Sequence, residues 1–240
     1  MPPSESPAGS GLVRRFGLVP RAVHWVTAAL MGGCLATGAV LYVPSLSLLV
    51  GRRQLVELVH LCCGLALPVP ILAAAGSAAF RGEVRALNRF TPADWAWLRA
   101  SLRFDPWRRA RARAGAGAGR AGGPGKFNAG QKLYAAFVAG GILVMLTTGV
   151  IMQWGAGPLR GLPVADRTGA TFVHDLLAYG LLFGVVGHVW IAAHDPVALV
   201  GMRTGTVPAA WAAREHPAWS PTPVEDERPV SRGGPARSPQ

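Results

Sequence analysis

Histidine is the side chain of this sequence best suited to bind a metal, and four of its six histidines lie in apolar surroundings: His24, His60, His174 and His188. The last two fall in one apolar stretch, FVHDLLAYGLLFGVVGHVWIAAHD, fourteen residues apart. In a helix, that spacing separates the two rings by roughly 21 Å and points them to nearly the same face, since fourteen residues make almost four turns. The spacing therefore predicts two sites at different depths along one long helix.

The elements that would position these histidines are apolar runs. Half of the 240 residues are hydrophobic and 15% are charged, whereas a soluble domain carries about 25% charged residues. Four runs lack charged side chains, and they cover residues 22–43, 58–80, 133–154 and 176–193. About 20 such residues cross the hydrocarbon layer as a helix, and no run alternates polar and apolar residues like a membrane β-strand.

We therefore predict an all-α membrane protein, a four-transmembrane-helix bundle. The helices are expected at about residues 20–43, 55–80, 132–154 and 170–194. They lie within a transmembrane domain at 20–200, which follows a short N-terminal segment at 1–19 and precedes a tail at 201–240. Pro68 and Pro70 are expected to kink the second helix.

The charge distribution predicts the orientation of the bundle. Of the 24 Lys and Arg residues, 20 lie at one predicted face of the membrane, in residues 14–21, 81–132 and 203–237. Positive residues favour the cytoplasmic side, so both termini are predicted to be cytoplasmic. The net charge of +12 is then explained by topology and contact with lipid headgroups, and no nucleic-acid partner is expected. The Arg/Gly/Ala-rich run of the loop is interpreted as a flexible linker, and the tail as disordered from about residue 217.

This orientation sorts the four histidines by depth. His60 and His174 lie toward the outer face, and His24 and His188 lie toward the inner face. A single intramembrane histidine usually makes a hydrogen bond in helix packing, but two histidines at one height on different helices could ligate a haem b iron with both imidazoles. We therefore predict two haem b groups. His194 points to nearly the opposite face from His174, and no CxxC or CxxCH motif indicates zinc or covalent haem.

Longer motifs add a family resemblance. These are RAVHW at the first helix, LVHLCCG at the second, KFNAGQKLYA before the third, GHVWIAAHDP at the end of the fourth, and GMRTGTVPAAWAAREHPAW in the tail. With them the chain resembles the cytochrome b (gamma) subunit of membrane-bound formate dehydrogenases, within the group of di-haem, four-helix bacterial b-type, b561-like cytochromes. The resemblance covers roughly residues 15–220 and implies a multi-pass protein of the bacterial cytoplasmic membrane.

The resemblance implies roles for particular residues. His24 and His188 would bind the inner haem b, and His60 and His174 the outer one. The motif NAGQK would contact quinone through Asn128, Gly130 and Gln131. From the residues alone, Asn128 and Gln131 also fit a capping box at the start of the third helix, and the two roles can coexist.

The resemblance also implies partners. An iron–sulfur subunit would deliver electrons at the outer face, and a catalytic dehydrogenase subunit would oxidise the substrate. This chain would be a non-catalytic subunit that passes the electrons to quinone. The oligomeric state of the complex stays open. A di-haem cytochrome b for another donor is the alternative: a hydrogenase, a thiosulfate reductase, or a stand-alone b561-type quinone oxidoreductase. A transporter with a histidine proton relay is a further alternative. The donor, the quinone and the role of Asp175 stay open.

Overall fold

The structure, a computed structural model, describes residues 11–102, 125–157 and 161–224. Four helical segments are long and apolar enough to cross a membrane: α1 (Leu18–Tyr42), the pair α3 (Arg53–Ala66) and α4 (Val69–Ala74), α7 (Ala129–Trp154) and α8 (Val164–Ala193). Shorter helices connect them or follow them: α2 (Pro44–Val50), α5 (Ala78–Asn88), α6 (Pro92–Leu102), α9 (Pro196–Thr204) and α10 (Ala209–Glu215). The predicted four-helix membrane bundle is confirmed.

The second membrane segment is interrupted at the prolines where a kink is predicted, and it ends at Ala74, before the predicted residue 80. The helix stops at Ala66 and resumes at Val69, with Pro68 at its N-cap. Proline has no backbone N–H and its ring collides with the preceding turn, which breaks the helical ladder. Beyond Ala74 the chain starts a new helix, because the Ser77 side chain accepts a hydrogen bond from the Phe80 amide and caps α5.

The bundle packs around a small apolar layer midway along the helices. Met31, Leu67, Ile142 and Leu181 form it, so that each of the four membrane segments contributes to it. A Cβ atom at Gly141 would lie 3.2 Å from Leu181 Cδ2, so glycine allows α7 and α8 to approach closely here. The outward surfaces keep large apolar side chains exposed, as a helix facing lipid requires.

Both described ends of the chain meet in a small antiparallel sheet, called the terminal sheet below. Strand β1 (Leu12–Arg14) lies between β2 (Thr206–Pro208) and β3 (Thr222–Pro223). The sheet and helix α10 enclose a second apolar cluster of Val13, Val207, Trp211 and Ala212. The disorder expected from about residue 217 therefore does not hold for 217–224, where β3 pairs with β1; residues 225–240 lie outside the described part.

The basic loop predicted at 81–131 is partly helical. Helix α5 extends to Asn88, and α6 occupies residues 92–102 before the chain enters α7. The Arg/Gly/Ala-rich run interpreted as a flexible linker, residues 106–123, lies outside the described residues. The part of the loop that is described lies at the same end of the bundle as the terminal sheet, since His216 contacts Gly125.

Candidate functional site

Two histidines predicted to form the outer pair face each other across the bundle. The His60 ring on α3 and the His174 ring on α8 have centroids 6.3 Å apart and planes inclined at 61°. Each ring is anchored by a threonine of the neighbouring helix: Thr37 Oγ1 lies 2.9 Å from His60 Nδ1, and Thr148 Oγ1 lies 2.9 Å from His174 Nδ1. Both imidazoles are thus held by Nδ1, which leaves Nε2 available to a ligand.

The two histidines predicted to form the inner pair are also brought together. His24 on α1 and His188 on α8 have ring centroids 6.1 Å apart and planes inclined at 63°. Tyr134 of α7 stacks on His188, with centroids 5.0 Å apart and planes within 11° of parallel. The beginning of α1 is also tied to α9, because Trp25 Nε1 donates a hydrogen bond to the Met202 carbonyl at 3.3 Å.

The spacing of both pairs fits a metal held between two imidazoles. With metal–nitrogen bonds of about 2.0–2.1 Å, two facing rings have centroids roughly 6.3 Å apart. The observed 6.1 and 6.3 Å agree with that value. In the described ranges no three His, Cys, Asp or Glu side chains converge, and a pair of imidazoles is the ligand set of a bis-histidine haem.

His194 stands apart from these pairs, as its position on α8 predicted. Its Nδ1 atom lies 2.8 Å from the Trp190 carbonyl, and its ring packs on the Trp190 indole. Both residues line a cavity of about 530 Å³ beside the end of α8, and Trp211 of α10 lines the same cavity. The residues that line this cavity do not include the paired histidines.

The predicted capping box at the start of α7 is present. Asn128 Oδ1 accepts a hydrogen bond from the Gln131 amide at 2.9 Å, and Gln131 Oε1 accepts one from the Asn128 amide at 3.0 Å. Because a backbone N–H can only donate, both side-chain oxygens must face the cap. Both side-chain NH₂ groups therefore point away from it as free donors within the described residues.

Gly130 is approached by another helix of this chain. A Cβ atom there would lie 3.3 Å from Trp97 Cη2 of α6 and 3.4 Å from Asn128 Oδ1. Glycine therefore allows the Trp97 indole to close over the first turn of α7. The tryptophan forms a wall next to the two amide groups, a feature that the sequence reasoning missed because it comes from a separate helix.

A buried ion pair locks α6 onto α7. Lys132 Nζ lies 2.7 Å from Asp94 Oδ2 and donates a further hydrogen bond to the Arg89 carbonyl at 2.9 Å. Asp94 is 3% exposed and Lys132 is 9% exposed. Burial alone would raise the pKa of Asp94, but hydrogen bonds from Lys132 and Thr91 outweigh burial and hold that pKa below its usual value. The basic loop pattern predicts Lys132 only as one of the positive charges at the cytoplasmic side.

The terminal sheet holds a buried Arg15–His216 contact. Arg15 Nη2 lies 3.1 Å from His216 Nε2, and since a guanidinium only donates, His216 accepts there and donates from Nδ1 to the Gly125 carbonyl at 2.8 Å. Burial, and then the Arg15 charge, lower the pKa of His216, while the Gly125 bond and the Glu215 and Asp195 charges oppose them. Burial also lowers the pKa of Arg15 to about 10.

Three side chains near the histidines were missed from sequence: Thr37, Thr148 and Tyr134. Tyr134 carried a signal, because it follows Gln131 by three residues and so shares its face of α7. The sequence signal for the two threonines is weaker: each is followed by glycine, at 37–38 and at 148–149. Only the packing of α1 on α3 and of α7 on α8 reveals that both dipeptides contact a histidine.

Comparison with known proteins agrees with this geometry. The profile of the prokaryotic cytochrome b561 family matches residues 15–205. The cytochrome b556(Fdn) subunit of the nitrate-inducible formate dehydrogenase of Escherichia coli (strain K12) is 30% identical over 95 residues, which are 40% of this chain and 43% of that protein. The formate dehydrogenase cytochrome b556 subunit of Haemophilus influenzae is 28% identical over 95 residues, 40% of each chain.

The aligned region thus spans about two fifths of the length of these curated relatives, while the family profile covers most of this chain. A b-type cytochrome of this family carries haem b, and four apolar membrane-spanning helices place it as a multi-pass protein of the bacterial inner membrane. Histidine pairs, membrane helices and family profile thus lead to one conclusion: the chain belongs to the prokaryotic cytochrome b561 family and is related to the cytochrome b subunits of formate dehydrogenases.

Proposed function

We propose that this chain carries electrons across the membrane between two haem b sites and delivers them to quinone. The observation that carries the proposal is the presence of two facing histidine pairs with ring centroids 6.1 and 6.3 Å apart. His60 and His174 would hold one haem, and His24 and His188 the other. Haem b, when bound, supplies an iron that takes up and releases single electrons.

The chain's own residues separate the two sites along the membrane normal. His174 and His188 lie on the same face of α8, roughly 21 Å apart along the helix. The apolar layer of Met31, Leu67, Ile142 and Leu181 lies midway along the bundle and excludes water there. Electrons can pass such a layer between two fixed sites, whereas a proton relay needs a chain of polar groups, so this layer favours the cytochrome over a proton-coupled transporter.

The distribution of charge supports an inner, cytoplasmic position for the His24–His188 pair. The terminal sheet and the described basic residues of the loop lie at that end of the bundle, and cytoplasmic ends carry the excess of Lys and Arg. Both termini are then cytoplasmic, and the His60–His174 pair lies toward the outer face. An iron–sulfur partner subunit would dock there and supply electrons drawn from a catalytic dehydrogenase subunit.

The first turn of α7 supports quinone binding beside the inner pair. Asn128 and Gln131 use their oxygens in the capping box, so their NH₂ groups are the donors that a quinone carbonyl needs. Trp97 packed on Gly130 supplies an apolar wall for the ring, and Tyr134 connects this face of α7 to His188. Quinone reduced at this position would take its protons from the cytoplasmic side.

The donor is formate dehydrogenase-like by relationship, because the curated relatives are subunits of formate dehydrogenases. The family whose profile matches is broader, which supports a hydrogenase, a thiosulfate reductase or an independent b561-type quinone oxidoreductase as the second candidate setting. The residues that would bind haem and quinone are the same in each case, and the donor surface alone would differ.

A spectrum of membranes that contain the full chain tests the proposal. Dithionite should produce the reduced spectrum of a b-type cytochrome, and a short-chain quinone added under anaerobic conditions should reoxidise it. His194→Ala is the matched control, because His194 lies on α8 outside both pairs, and it should behave like the wild type. A chain with no haem spectrum, or a reduced haem that quinone leaves unchanged, would contradict the proposal.

A further inference from the structure

Two threonine hydroxyls distinguish the outer histidine pair from the inner pair. Thr37 of α1 lies 2.9 Å from His60 Nδ1 of α3, and Thr148 of α7 lies 2.9 Å from His174 Nδ1 of α8. Each threonine precedes a glycine, and a Cβ atom at Gly38 or Gly149 would lie 3.5 Å from the Cε1 atom of the same histidine ring. The arrangement is repeated, since a Thr-Gly dipeptide supports each ring of the outer pair.

The position of the hydroxyl proton follows from the remaining contacts. Thr37 Oγ1 lies 2.6 Å from the Gly33 carbonyl oxygen, and Thr148 Oγ1 lies 2.8 Å from the Val144 carbonyl oxygen. A carbonyl oxygen cannot donate, so the single hydroxyl proton must be used in these short contacts. The hydroxyl oxygen then accepts from the histidine, which means that Nδ1 carries its proton and Nε2 presents a lone pair.

The inner pair lacks this support. Within the described part of the chain, neither the His24 ring nor the His188 ring makes a hydrogen bond, and the contact that α7 makes with His188 is the stacked Tyr134 ring. A stacked ring restricts rotation but does not accept the Nδ1 proton. The two sites therefore differ in the electron-donating strength of their imidazoles, although their ring separations are nearly equal.

We propose that Thr37 and Thr148 are positioning residues that fix the tautomer of His60 and His174 and lower the reduction potential of the outer haem relative to the inner one. This inference rests on the haem ligation proposed above. When a ligating imidazole donates a hydrogen bond through its other ring nitrogen, that imidazole becomes more basic. A more basic imidazole ligand would stabilise ferric over ferrous iron. Hydrogen bonding outside the ligand set is one of the recognised controls of haem potential.

The consequence is a favourable direction of transfer. With haem held by both histidine pairs, the outer site would lose the one electron that the inner site gains, and this exchange would move no proton. A lower potential at the outer site makes that exchange downhill toward the end of the bundle where Asn128 and Gln131 lie. The chain itself would thus set the direction, independently of which partner supplies the electron.

Redox titration of the full chain in membranes, followed optically, tests the inference. The variants are Thr37→Val and Thr148→Val, which keep the branched shape and lose the hydroxyl, and Thr37→Ser and Thr148→Ser, which retain it. Thr147→Val is the matched control, because the neighbouring Thr147 hydroxyl bonds the Leu143 carbonyl at 2.9 Å and contacts no histidine. The outer component of the titration is identified by its loss in His174→Ala.

The valine variants should raise the midpoint of the outer component and leave the inner component in place. A tenfold change in the ratio of ferric to ferrous stability corresponds to about 59 mV for one electron, and outer-shell partners of metal ligands change binding by about 10- to 100-fold. The serine variants should return the outer midpoint toward the wild-type value, and Thr147→Val should not shift it.

An outer midpoint that stays unchanged in both valine variants, or that shifts equally in Thr147→Val, would overturn the inference. If a valine variant loses the outer haem, the corresponding serine variant decides: regained haem supports the role of the hydroxyl, and continued loss opposes it. If the wild-type chain holds no haem, or if His174→Ala leaves both components of the titration in place, the proposed haem ligation itself is wrong. The two failures are therefore distinguishable.

Discussion

Removal of one partner from the Asp94–Lys132 ion pair should release α6 from α7. Both side chains are nearly inaccessible, with Asp94 3% exposed and Lys132 9% exposed, and the charged atoms are 2.7 Å apart. Asp94→Ala would leave the Lys132 ammonium buried with the Arg89 carbonyl as its remaining partner. Breaking a buried pair from one side costs about 3–5 kcal/mol, because the surviving charge is uncompensated.

Hydrogen exchange of the α6 amides (Pro92–Leu102) measures this cost locally. Each 1.4 kcal/mol is about a factor of ten in an equilibrium constant, so a loss of about 3–5 kcal/mol lowers protection by about 100-fold or more. The double variant Asp94→Ala with Lys132→Met should recover most of that protection, since no unpaired charge is left in the contact.

An exposed ion pair of the same chain provides the control. Arg53 and Glu57 are 2.9 Å apart at an i,i+4 spacing, with side chains 58% and 50% exposed. Glu57→Ala should cost no more than about 0.5 kcal/mol, because solvent screens such pairs. The reasoning would be refuted if Asp94→Ala cost no more than Glu57→Ala, or if the double variant were as unstable as the single one.

Two further predictions concern the terminal sheet and the capping box. The pKa of His216 is lower in the folded than in the unfolded state, so the stability that His216 contributes is complete above a pH of about 6.5 and is lost as pH falls. Hydrogen exchange of the β1 amides, corrected for intrinsic rates, should therefore show that the terminal sheet loosens in acid. His216→Gln should remove that pH dependence. Asn128→Ser keeps an oxygen cap and removes the NH₂ donor, so it should raise the KM for quinone at nearly unchanged thermal stability, whereas Asn128→Ala should also lose about 1 kcal/mol of stability. A quinone KM unaffected by Asn128→Ser would restrict this residue to capping.

Sequence reasoning predicted the features governed by one-dimensional patterns. Long apolar runs predicted the four membrane segments, and the positions of the four histidines along them predicted which rings lie close together in the structure. The capping box at Asn128 followed from a local rule as well. Such patterns depend on hydrophobicity and helical period, which a sequence states directly.

Features that depend on lateral packing were not predictable in the same way. Thr148 contacts His174 because α7 and α8 pack at one rotation among several that hydropathy allows. In the sequence, Lys132 is one of several basic residues at a membrane boundary. Its ion pair with Asp94 depends on how α6 packs on α7. His216 directly precedes the segment interpreted as a disordered tail, yet it is buried against Arg15 from the opposite end of the chain.

Haem per polypeptide, counted as the pyridine haemochrome in the wild type and in four single histidine-to-alanine variants, tests the proposed function most directly. The wild type should hold two haem b groups. His60→Ala and His174→Ala should each lose the same haem, and His24→Ala and His188→Ala should each lose the other, as the two facing ring pairs require. A chain with no haem, or a variant of one pair that removes the haem assigned to the other, would contradict the proposed ligation.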